Sequence, residues 1–117
     1  MDERAEQIYG VLTQRFPFIG CELNYTSPYE LLVAVVLSAQ CTDKRVNVVT
    51  AELFKQANTP AAMLALGQEA LQKAIYSCGF YKEKSKSIIE LSRDLLDKFG
   101  GNVPDSLEQL TALRGVG

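Results

Sequence analysis

Histidine and tryptophan are absent from the 117 residues, and cysteine occurs only three times. Without histidine the chain lacks both the side chain most suited to general-base work near neutral pH and the commonest metal ligand. Cys21, Cys41 and Cys78 stand 20 and 37 positions apart, too far for a metal knuckle. Their odd number points to reduced thiols packed as small hydrophobes. No apolar run approaches the ~18 residues that a membrane span needs. The opening MDERAEQIYG carries acids before any apolar stretch, which is not the pattern of a signal peptide. With no targeting segment and no membrane span, a cytoplasmic location is expected. Neither sign of charge predominates: the net charge of −2 argues mildly against a freestanding nucleic-acid binder.

What is present is a globular composition, 47% hydrophobic and 22% charged, of a length that suggests one domain over residues 1–117. Helix starts and stops recur, and extended alternation is rare. Asp2 can cap a first helix whose apolar face runs through Ala5, Ile8, Leu12 and Phe16, before Pro17 and Gly20 break it. In SPYE, Ser27 is a cap, Pro28 fits the first turn, and Glu30 stands three residues on as in a capping box. Leu31 to Leu37 are all apolar, the pattern of a helix buried on every side. A buried strand is the competing reading, because Val33, Val35 and Val36 favour strands. Thr42 caps a helix expected over Asp43–Gln56, with Val46, Val49, Leu53 and Phe54 inward. Thr59 and Pro60 start a short one, Gly67 separates it from another at Glu69–Ser77, and Gly79 ends that. Lys82–Phe99 form a longer helix with Ile88, Leu91 and Leu95 on one face and Ile89 and Leu96 beside it. FGGN supplies its terminal glycine, and Ser106–Leu113 form the last helix. The expected architecture is all-α, an orthogonal bundle of about seven short helices.

One feature is unusual for a helix this oily: it ends on a polar tip, Gln40, followed by the cluster CTDKRVN. The blocks SPYELLVAVVLSAQCTDKRVN, NTPAAMLALG, SCGFYKEKSKSI and GGNVPDSLEQLTALRGVG, in this order, resemble the endonuclease III family of DNA glycosylase/AP lyases in the helix-hairpin-helix superfamily. The resemblance runs from about Leu23 to Gly117. A MutY-type adenine glycosylase is the nearest rival, and SAQCTD favours endonuclease III. A non-catalytic helical module that binds DNA or a protein is the alternative from another class.

The resemblance implies base-excision repair: removal of oxidised pyrimidines from damaged duplex DNA, followed by strand cleavage. The target base leaves the stack and a hole remains. Gln40, with both donors and acceptors, would fill it and bond the orphaned partner base. Phe80 would be a second probe wedged between bases, with Tyr81 behind it, where many relatives carry an aliphatic residue. Thr42 and Lys82 are further candidates for DNA contact. Read without the resemblance, Gln40 is a helix-end residue facing water, Phe80 packs in the core, Thr42 is a cap, and Lys82, Lys84 and Lys86 form a solvated face.

Gly115, Val116 and Gly117 resemble the first part of the superfamily's hairpin, whose backbone amides hold a DNA phosphate. Arg114 departs from the proline common before that first glycine and loosens the turn's preset geometry. The nucleophilic lysine that the resemblance implies would follow the hairpin, and an assisting aspartate would come later; neither position exists in this sequence. Many relatives also hold a [4Fe–4S] cluster through four C-terminal cysteines, which the full-length parent would then carry; Cys21, Cys41 and Cys78 do not match that spacing. The chain is expected to be a truncated N-terminal part, inactive by itself, with exposed apolar faces that promote self-association.

Overall fold

The computed structural model describes residues 6–11, 23–104 and 107–113. Among these the secondary structure is helical, without a strand. Residues 6–11 form helix α1, followed by α2 (Pro28–Ser38), α3 (Asp43–Gln56), α4 (Pro60–Leu66) and α5 (Gln68–Ile75). A 3₁₀ turn at Tyr76–Cys78 then leads into α6 (Tyr81–Phe99), and α7 (Leu107–Thr111) closes the described part. The all-α bundle read from the sequence is the observed fold.

Capping decides where most of these helices begin. Ser27, Thr42 and Thr59 each sit in extended backbone and accept a bond from the amide three residues on, at Glu30, Arg45 and Ala62. Glu30 departs from the expected capping box. Its carboxylate accepts from the Thr26 amide at 2.9 Å and the Thr26 hydroxyl at 3.0 Å, one residue before the cap. The strand alternative for Leu31–Leu37 is excluded, and each of those seven side chains is at most 4% exposed. With no outward face, α2 is the pillar around which α3 and α6 pack. Ile88, Leu91 and Leu95 of α6 are fully buried beside it.

Other boundaries differ from expectation by a residue or two. The segment expected as one helix at Glu69–Ser77 is α5 followed by the 3₁₀ turn, and α6 begins at Tyr81 rather than Lys82. It stops where Gly100 and Gly101 take positive φ of 62° and 86°, the Gly101 amide bonding back to the Leu95 carbonyl at 2.8 Å. Phe54 is only partly buried and Leu96 is 36% exposed, so the inward faces of α3 and α6 are narrower than their apolar spacing suggests.

A polar pair ties α2 to α6 inside the core. Ser92 donates to the Ile88 carbonyl at 2.7 Å, which uses its one proton. The Tyr29 hydroxyl, 2.6 Å from Ser92 Oγ, is therefore the donor of that bond.

Candidate functional site

Two residues other than glycine take positive φ among the described residues: Gln40 at 55° and Phe80 at 49°. They belong to separate turns that face one another. Beyond Ser38, Ala39 has φ −61° and ψ 115°, Gln40 turns left-handed, and the Cys41 amide returns to the Ser38 carbonyl at 3.2 Å. This matches a type II turn with glutamine where glycine or asparagine is usual. At the other turn Gly79 (φ 75°) precedes Phe80, which is left-handed with ψ 35° and caps α6 without a side-chain bond. Its carbonyl accepts from the Lys84 amide at 2.9 Å.

The two turns share a cleft of about 250 Å³ lined by Ala39, Gln40, Phe80, Glu83 and Lys84. Gln40 is exposed, and Phe80 is 64% exposed. The core-packing alternative for Phe80 is thereby overturned: the left-handed backbone presents the ring to solvent rather than turning it into the bundle. Tyr81 lies behind it, half-buried, its ring 4.8 Å from that of Tyr76.

Thr42 is exposed and caps α3, with Lys44, Arg45 and Val48 around a shallow hollow of about 210 Å³ beside the Gln40 turn. Lys44 and Arg45 were not singled out from sequence. The signal was available, since two cations in the first turn of a helix oppose its dipole and invite a reason outside the fold. Lys82 and Lys86 are exposed.

Lys84 is the exception to the solvated-face reading of the three lysines. It is 6% exposed, and its ammonium donates to the Leu37 carbonyl at 3.0 Å and the Cys78 carbonyl at 3.1 Å. The reason is helical phase. Lys84 stands four residues before Ile88 on the stripe that continues through Leu91 and Leu95, so it points inward. Burial pulls its pKa below the usual 10.5, and the Cys41 and Cys78 thiols act the other way.

Cys78 is buried and Cys41 half-buried, both as free thiols. Burial first, and then Cys41, push the Cys78 thiol up to about 12, against the pull of Lys84 and Arg45. An iron–sulfur cluster is held by thiolates, usually four of them. Cys41 and Cys78 supply two thiols, and no group of three or more metal-ligating side chains occurs among the described residues. The described residues therefore do not form a cluster site. Gly115, Val116 and Gly117 lie outside the described residues, as does Cys21.

Comparison with known proteins gives a consistent result. The family model described as HhH-GPD superfamily base excision DNA repair protein matches residues 33–114. Endonuclease III of Haemophilus influenzae and that of Escherichia coli K12 are each 49% identical over 106 residues, covering 91% of this chain. Endonuclease III of Bacillus subtilis is 47% identical over 102 residues. The chain spans about half the length of the curated relatives it matches, 50% for the first two. A solved non-covalent Endonuclease III–DNA complex matches over 100% of this chain and 56% of that one, with TM-score 0.81 and 42% identity. A thermostable thymine-DNA glycosylase, at 22% identity and TM-score 0.75 over 97% of this chain and 52% of its own, shares the fold.

Proposed function

The chain belongs to the HhH-GPD superfamily of base excision DNA repair proteins, and from that premise we propose that it carries the base-stack probes of an endonuclease III-like DNA glycosylase/AP lyase acting on oxidised pyrimidines in duplex DNA. The observation that carries this reading is the pairing of Gln40 and Phe80, both left-handed and exposed, across one cleft. Strain at residues that do no work in the core is a mark of function.

In this reading the duplex lies across the two turns. Extruding a nucleotide costs a few kcal/mol of stacking and pairing, which side chains entering the gap offset. The Gln40 amide, both donor and acceptor, meets the edge of the partner base, and the Phe80 ring stacks against a neighbouring base, with Tyr81 supporting it. Thr42, Lys44 and Arg45 at the start of α3 face the backbone phosphates, joined by Lys82. These contacts fix register without reading sequence. The backbone amides of Gly115–Gly117 are assigned the same task on the strength of the resemblance.

Glycosidic cleavage is not assigned to any residue here. A Schiff-base nucleophile must present a free amine to the sugar, whereas Lys84 is buried with its ammonium on two carbonyls. The relatives' greater length leaves room for a nucleophile, an aspartate and a cluster outside the segment matched. No helix among the described residues is long and apolar enough to cross a membrane, and a cytoplasmic location is part of the proposal.

The test is a titration of the chain onto a duplex holding a stable abasic-site analogue with 2-aminopurine as the opposing base. Binding should alter the fluorescence as the gap is filled. Gln40→Ala and Phe80→Ala should each weaken binding by about 1 kcal/mol or more, the scale of a lost base–side-chain stack. Equal affinity and equal signal for the parent chain and both variants would overturn the reading.

A further inference from the structure

Gln40 and Phe80 are far apart along the chain, with α3, α4, α5 and the 3₁₀ turn between them. For both side chains to enter one duplex gap, the spacing between their turns must be fixed. The Cys41 and Cys78 thiols influence one another electrostatically across the two turns, but a thiol is a weak donor. The stronger link is Lys84. Its ammonium takes the Leu37 carbonyl in the last turn of α2, three residues before Gln40, and the Cys78 carbonyl, two residues before Phe80. Lys84 also lines the cleft between the probes and belongs to the first turn of α6, whose cap is Phe80 itself.

We propose that Lys84 is the positioning residue for both probes, its ammonium clamping the end of α2 to the start of α6 so that Gln40 and Phe80 enter the duplex as one unit. The proposal rests on the function inferred above. Its physical basis is that each carbonyl taken lies at the C-terminal end of a helix or 3₁₀ turn, where carbonyls are unpartnered and a cation is favoured. A charge-assisted bond is about twice as strong as a neutral one and holds its geometry more tightly. Lys84 is 6% exposed, so its charge serves this internal clamp rather than a phosphate.

The 2-aminopurine titration on the full chain separates this role from general stability. Lys84→Met removes the ammonium while retaining most of the stem, and Lys84→Gln restores a neutral donor. We expect Lys84→Met to change affinity for an undamaged duplex by less than about 2-fold while the fluorescence change at the abasic site falls at least 5-fold. Lys84→Gln should recover part of that change. If Lys84→Met keeps the full signal while Gln40→Ala and Phe80→Ala lose it, the clamp is wrong and the probe reading survives. If none of the variants alters the signal, the probe reading itself has failed. If circular dichroism shows that neither Lys84 variant folds, Lys84 is a general stability residue and the positioning role is rejected.

Discussion

The backbone at Gln40 and Phe80 is strained, since a left-handed conformation costs an L-residue about 1–2 kcal/mol. Gly at either position would relieve that strain while increasing the freedom of the unfolded chain. We therefore expect Gln40→Gly and Phe80→Gly to raise stability by about 0.5–1 kcal/mol, measured by urea unfolding, while weakening binding to abasic-site DNA. A loss of stability in both would mean that the side chains contribute packing that their exposure does not suggest. These two positions also mark where the sequence was least informative. Gly79 was readable as a stop, but nothing in the residue type announces that the Phe80 beside it continues the left-handed path. A type II turn asks for glycine or asparagine, and the chain supplies glutamine.

At the scale of helices, residue chemistry was far more legible. Ser27, Thr42 and Thr59 were identifiable as caps because a hydroxyl before a periodic apolar run has a specific amide to satisfy. Thr59 lies outside the proposed interface, so Thr59→Ala should cost about 1 kcal/mol, a fall of roughly 4 °C in melting temperature by calorimetry, with DNA binding unchanged. The Tyr29–Ser92 bond was beyond sequence reading because its partners are 63 residues apart. Tyr29→Phe should cost about 1 kcal/mol and no more, because Ser92 keeps its bond to the Ile88 carbonyl. Lys84 falls between these cases. Its phase on the Ile88–Leu91–Leu95 stripe was readable, but charge suggested solvent, and only the two carbonyls it meets explain why burial prevailed.

For the molecule as a whole, the buried titratable groups set its response to alkali. The Cys78 thiol is pushed from its usual 9.0 to about 12, and the Tyr29 hydroxyl is raised above its usual 10.0, chiefly by burial. The native state thus keeps protons that the unfolded chain releases above pH 9, so this stability is intact below pH 9 and lost as pH rises toward 12. Lys84 acts in the opposite sense. Its pKa lies below 10.5, so between its native value and 10.5 it makes stability rise with pH. Two groups oppose one, and the melting temperature should fall between pH 9 and 12; Cys78→Ala should make that slope shallower. An unchanged slope in Cys78→Ala would show that this thiol does not control it.

The pillar helix has a consequence for how the proposed encounter with DNA divides its labour. Leu31 to Leu37 have no free face, so the turn carrying Gln40 is anchored to a helix close-packed on every side. A tool mounted on such a base does not bend to its workpiece. Whatever deformation brings probes and duplex into register would then fall on the nucleic acid. Lesions that soften the duplex would be engaged sooner than intact steps, even before any group on the damaged base is touched.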